Sequence, residues 1–218
     1  MADPPAIFRG APFWSWNGRL EKERLLRQLQ TYKKMGIGGA TIHVRTGLTT
    51  PYLGDEFMEY VKTSADEAER LGMLIWLYDE DRWPSGAAGG LVTDNHDYRC
   101  RQLLMTCRRP EPGEMRLHWV HHSPPQPVTE RTFVAAWTMR FAAGKLTEWR
   151  RIEEGDDPGE GEVAYYAYIE VAPDITWFNN QQYANLLNPD ATRRFIEVTH
   201  ERYAEVLGDR FGSQVPSI

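Results

Sequence analysis

Gly38-Gly39-Ala40-Thr41-Ile42-His43-Val44-Arg45 is a short β-branched run entered through glycines, which reads as a strand following a helix. Side chains alternate across a strand, so Ala40, Ile42 and Val44 share an apolar face. Thr41, His43 and Arg45 share the other. Upstream, Leu25, Leu26, Leu29 and Tyr32 follow helical spacing, and Met35-Gly36 ends that helix. Before it, Pro12–Trp16 is an apolar run that Asn17-Gly18 turns. Downstream of the Thr46–Gly54 loop, Asp55 is placed to cap a second helix striped with Phe57, Met58, Val61, Ala65, Ala68 and Leu71. Gly72 stops it, and Met73–Tyr78 reads as a third strand. Strands recur about every 30 residues, the length of a strand–helix–strand unit. The pattern predicts a parallel sheet with right-handed crossovers.

From residue 99 onward the rhythm changes to short alternating runs, among them Met115–His121, Thr132–Phe141, Lys145–Ile152 and Val163–Val171. Proline- and glycine-rich links separate them, as in an antiparallel insertion. Helical spacing returns at Asn188-Pro189-Asp190, with Phe195, Ile196, Thr199, Tyr203, Val206 and Leu207 on one face and Gly208 as the stop. Val215–Ile218 reads as the start of a further strand. No glycine-rich dinucleotide or phosphate loop occurs, which argues against a Rossmann sheet. The fold class expected is therefore α/β: a partial (β/α) TIM-type barrel of about four strands, carrying an antiparallel β insertion. The expected domains are 1–98 as the first half of the barrel, 99–174 as the insertion, and 175–218 as the return to the barrel. A complete barrel needs eight strands in ~250 residues, so the chain reads as cut short.

Composition excludes several classes. The 218 residues are 41% hydrophobic and 26% charged, as in a folded domain. Lys and Arg number 25 against 31 Asp and Glu, a net charge of −6 that offers no footprint for nucleic acid or an anionic membrane. No apolar run reaches the ~20 residues of a membrane span, and no export signal opens the chain, so a cytoplasmic location is expected. Cys100 and Cys107 lie too far apart along an extended stretch for a disulfide. The eight tryptophans fit either a rich core or a surface that stacks on sugar rings.

The densest chemistry is Tyr78-Asp79-Glu80-Asp81-Arg82-Trp83-Pro84-Ser85-Gly86, directly after the third strand, where barrel enzymes place catalytic groups. Three successive carboxylates repel one another unless a cation, a ligand or Arg82 balances them. Parity turns Glu80 inward, which makes it the first catalytic candidate, with Asp79 the second. Asn17, His43, Arg45, Tyr78, Asp81 and Trp83 are candidates for holding substrate. So are Trp177, Tyr183 and Asn185 in the return loop, where amides beside aromatics suit hydroxyl-rich ligands. The same features also fit a helix-capping loop, a core histidine and local amide–backbone bonds. His118, His121 and His122 have no carboxylate beside them and make a poor zinc set, and His200 reads as structural. No metal-ligating residue is assigned.

Four stretches, Phe13–Gly18, Gly38–Leu48, Trp76–Gly86 and Leu186–Pro189, resemble the N-terminal barrel of the α-L-rhamnosidase-like glycoside hydrolases, family 106. The Tyr78–Gly86 block is the most specific of them. The resemblance implies a carbohydrate substrate, hydrolysis of terminal deoxy-sugar glycosides by inversion, and calcium near the site. It also implies that the strand beginning at Val215 leads to an acidic segment beyond Ile218. On this reading the partner carboxylate lies there and residues 1–218 alone are inactive. The alternatives are a non-catalytic carbohydrate-binding protein and a metal-dependent barrel enzyme of another class.

Overall fold

A computed structural model describes residues 3–116, 124–128 and 130–218. His118, His121 and His122 lie outside the described residues. The chain divides into two units, Met1–Val92 with Asn188–Ile218, and Thr93–Leu187.

In the first unit, strands β1 (Phe13–Gly18), β2 (Gly39–Leu48) and β3 (Leu74–Trp76) form a parallel sheet in that order. Helix α1 (Lys22–Lys34) connects the first pair and α2 (Asp55–Arg70) the second. Trp14 and Trp16 of β1, Ala40, Ile42 and Val44 of β2, and Ile75 and Leu77 at β3 are buried in one cluster. Leu25 and Leu29 of α1 and Phe57, Val61, Ala65 and Ala68 of α2 belong to the same cluster. Both helices therefore cover one face of the sheet, the face that alternation predicts. Burial of each large side chain there is worth roughly 1.5–3 kcal/mol. The β2–β3 approach depends on Gly39, where a Cβ would stand 2.5 Å from the Leu74 carbonyl oxygen and 2.5 Å from the Trp76 ring.

Asp55 does not cap α2. Gly54 occupies the cap position without a side-chain bond, and Asp55 sits in the first turn, paired with Arg202. The last helix starts as its sequence predicts, with the Asn188 side chain accepting the Asp190 N–H. It runs as α3 (Pro189–Ile196), a π turn (Glu197–Glu201) and α4 (Arg202–Leu207). Tyr203 and Leu207 seal it into the core. The C-terminal segment returns beside β3, where Ile75 N–H donates to Gln214 O at 3.1 Å and Leu77 N–H to Ser217 O at 3.2 Å. The pairing is too irregular to form a fourth strand, and among the described residues the parallel sheet does not close into a barrel.

The second unit holds β4 (Arg101–Thr106), β5 (Met115–Arg116), β6 (Gln126–Pro127), β7 (Arg131–Ala142), β8 (Lys145–Ile152) and β9 (Val163–Val171). Four of these form an antiparallel sheet in the order β4-β9-β7-β8. Ala136, Ile152, Ala164, Tyr166 and Tyr168 pack together, with Leu104 and Phe133 against them. The unit is wider than 99–174 on both sides because its flanks bond to each other. Asn185 N–H donates to Tyr98 O at 2.7 Å, and Thr93 donates through its hydroxyl to Gln181 at 2.8 Å.

Candidate active site

The open face of the parallel sheet carries the residues that alternation assigns to it. His43 of β2 pairs in register with Ser15 of β1. Its ring lies 4.8 Å from that of Phe13 and 4.4 Å from that of Tyr78. Nδ1 is shut off from solvent without a well-formed hydrogen bond. Burial holds the imidazole below its ordinary value of 6.5, and the Arg45 guanidinium adds to that, against a smaller opposing effect of its own backbone. Burial also raises the Tyr78 phenol; the charges of Asp79 and Glu80 raise it further and Arg45 opposes them. His43, Arg45, Tyr78 and the acidic run thus share one electrostatic neighbourhood. Asn17 and Arg45 are exposed.

Past β3, which ends at Trp76, the chain leaves the strand pattern. Glu80, the first catalytic candidate, is wholly buried. Its Oε2 accepts the N–H groups of Gly86, Ala87 and Ala88 at 2.9, 2.9 and 2.8 Å. Its Oε1 accepts those of Asp81 and Gly89 at 2.9 and 3.0 Å. Burial pushes the carboxyl up to about 7; the N–H groups of Ala88 and Asp81 draw it back, and the charge and side-chain hydrogen bond of the Asp81 carboxyl add to the rise. Five N–H donors converge on its two oxygens, at least as many as the roughly four lone-pair sites of a carboxyl group can take, so the loop is folded around this side chain. Glu80 is the anchor of the loop, with no surface left for a sugar.

The other two carboxylates divide. Asp81 has a side chain only 9% exposed and lies 3.3 Å from Arg82. Asp79 keeps 22% of its side-chain surface. Its Oδ1 accepts the Ser85 hydroxyl at 2.7 Å, and its Oδ2 lies 3.6 Å from His200 Nε2. Trp83, four residues on, is 61% exposed. Beneath the loop the Tyr203 hydroxyl donates to Tyr78 O at 3.2 Å.

No family model and no curated protein matches the chain. A solved structure similar to it is a rhamnosidase from Novosphingobium sp. PP1Y, 19% identical, with a TM-score of 0.39. The likeness covers 63% of this chain and 14% of that one, so the chain spans a small part of that enzyme's length.

The other three expected substrate residues belong to the second unit. Trp177 lies half-buried in a 3-10 turn, Thr176–Phe178. Tyr183 is buried, its ring 5.5 Å from that of Phe178, so the flat face expected for a sugar is spent on packing. Asn185 Oδ1 accepts the Leu187 N–H at 3.3 Å, the local backbone role open to any loop amide. The calcium implied by the resemblance does not fit these residues. Among the described residues no three His, Cys, Asp or Glu side chains come together as a metal site, and the oxygens of Glu80 are already taken by N–H groups. The placement of His200 and Ser85 beside Asp79 was not legible in the sequence. A histidine in mid-helix gives no sign that a π turn will aim it at a loop more than a hundred positions away.

Proposed function

We propose that the first unit is the sugar-facing part of a glycoside hydrolase acting on terminal deoxy-sugar glycosides of the α-L-rhamnoside kind, with its strands those of a (β/α) barrel. The observation that carries the reading is the sorting of the acidic run. Glu80 is consumed as an anchor and Asp81 lies beside Arg82 with 9% of its side chain exposed, which leaves Asp79, 22% exposed, as the most accessible of the three carboxylates. The sequential strand order, the helices on one sheet face and the bonding of Gln214 and Ser217 to β3 support the barrel reading. The resemblance of Tyr78–Gly86 to the rhamnosidase-like hydrolases supplies the substrate class.

Asp79 is the carboxylate on one side of the scissile bond, Trp83 the stacking platform, and His43, Arg45, Tyr78 and Asn17 the hydroxyl-binding surface. An inverting pair stands ~6.5–9.5 Å apart to admit water, which three adjacent residues on one loop do not offer. The partner of Asp79 is therefore a carboxylate from outside this loop. The test is a titration of residues 1–218 with a panel of monosaccharides, followed by tryptophan fluorescence. L-rhamnose should change the signal saturably, and Trp83→Ala and Asp79→Asn should each weaken binding about tenfold, the equivalent of roughly 1.4 kcal/mol. Identical curves for wild type and Trp83→Ala, or no response to any sugar, would overturn the reading.

A further inference from the structure

The tryptophans are not all spent on the core. Trp14 and Trp16 are buried in the first unit, whereas in the second Trp149 of β8 is largely exposed and Trp137 of β7 is half-buried. Strand register brings these two beside Tyr165 of β9, itself half-buried. Trp137 pairs directly with Tyr165 on one side and with Arg151 of β8 on the other. One step along the same face, Met139 pairs with Val163 and with Trp149. Side chains alternate across a strand, so Tyr165, Trp137, Trp149 and Arg151 stand on one face of the sheet. Neighbouring strands lie ~4.8 Å apart, so the three rings follow one another across β9, β7 and β8 over roughly 10 Å.

Charge sorts by face as well. Alternation puts Arg101 of β4, and Lys145 and Arg151 of β8, on the face of the rings. The carboxylates within these four strands, Glu148 and Glu170, fall on the opposite face, where they pair with Arg140 and Arg131. Arg150, the neighbour of Arg151, pairs there with Glu162 at 3.0 Å. Arg101 has Asp97 at 3.6 Å, while Lys145 and Arg151 form no ion pair among the described residues. In a chain of net charge −6, the strand residues of this face therefore carry cations and no acid.

We propose that this face of the antiparallel sheet binds an acidic oligosaccharide, one built of uronic acid residues. Trp137, Trp149 and Tyr165 offer flat apolar rings to the C–H faces of successive pyranoses. Arg151 stands in the same row as Trp137 and Tyr165, so its guanidinium is placed for the carboxylate of a stacked uronic acid, a planar group that it pairs with in bidentate fashion. Charge chooses the occupant. Rings alone fit any sugar or apolar surface, whereas rings set among cations select an anion with a flat apolar side. The surface uses no residue of the Asp79–Gly90 loop and does not rest on the reading of Asp79.

The experiment is calorimetric titration of residues 1–218 with tetragalacturonate and with its methyl ester, which keeps the rings and loses the charge. The acid should bind saturably, and the ester about fivefold more weakly, the worth of an exposed ion pair. Trp149→Ala should weaken binding of the acid about tenfold. Arg151→Ala should weaken it about fivefold and remove the preference over the ester, since the two changes delete one interaction. Both side chains are exposed, so the variants should keep the wild-type circular dichroism. Saturating L-rhamnose should not displace the acid. Equal affinity for acid and ester, or no binding of either, would overturn the proposal. Displacement by L-rhamnose would place the ligand elsewhere and overturn it too. A change in sedimentation with Trp149→Ala, with no sugar bound by wild type, would give the face to a second copy of the chain and end the proposal likewise.

Discussion

His43 shows how one side chain can be legible in part. Its strand face follows from the alternation of Ala40, Ile42 and Val44, and the structure puts it on the face opposite theirs. Its surroundings do not follow, since they are made by Phe13 and Tyr78 from two other strand regions. Burial and Arg45 favour the neutral ring, so the folded value lies below the 6.5 of the unfolded chain. The unfolded state then binds the proton more readily, and stability rises with pH across this window. This contribution is present above pH 6.5 and is lost as the pH falls toward the folded value. Proton NMR should give a His43 midpoint below 6.5, and Arg45→Ala should raise it; a midpoint indifferent to that substitution would contradict the charge effect. The bonding of Glu80 was not legible, because strand parity carries no information past Trp76, where β3 ends. Beyond that residue, hydrogen-bond demand sets the direction of each side chain.

At the scale of elements, helices and strands with strong periodicity were legible and the connections were not. The apolar stripe expected for α2 is buried at Phe57, Met58, Val61, Ala65 and Ala68; Leu71 falls at the C-cap, half-buried, and Ser64 joins the buried face. The π turn was invisible, since no residue in Glu197–Glu201 forbids an ordinary helix. The loop from Asp79 to Gly90 is an element in its own right, held by a carboxylate at its centre. Gly89 has a φ of +66°, and a Cβ there would lie 2.7 Å from the Tyr52 ring. Gly89→Ala therefore adds backbone strain to a clash. Glu80→Gln replaces one acceptor oxygen with a donor facing N–H groups. Each substitution should cost about 2–4 kcal/mol in urea or thermal unfolding, as losses of buried polar pairing do. Asp79→Asn, which leaves the five N–H bonds alone, should cost under about 1 kcal/mol. Equal losses in all three would refute the anchoring role.

For the molecule as a whole, the parallel and antiparallel halves were legible because alternation of period two and helical spacing separate cleanly at residue 99. The limits of the second unit were not, because they depend on bonds between segments some eighty residues apart. That unit leaves Leu103, Met105 and Trp149 largely exposed on its sheet, at 65%, 54% and 64%. Leu103 and Met105 lie on one face of β4, and Trp149 is cross-strand from Met139. They stand on the two edge strands of the sheet, and exposed apolar surface on sheet edges favours association. Sedimentation should show concentration-dependent self-association that Met105→Lys with Trp149→Lys reduces. A monomer at every concentration would show that the exposed side chains are too dispersed to act as a patch.

The bonding of Glu80 bears on how such a site persists through change. Every one of its five donors comes from between one and nine residues further along the chain. The loop thus carries within a single short stretch both the acceptor and the donors that shape it. Substitutions accumulating in the helices or in the antiparallel unit leave that internal wiring untouched. Asp79 precedes the anchor by one residue, and the Ser85 hydroxyl that holds its Oδ1 comes from the same stretch. A lineage could remodel most of the scaffold and still keep the same loop, provided the stretch from Asp79 to Gly89 passed intact between generations.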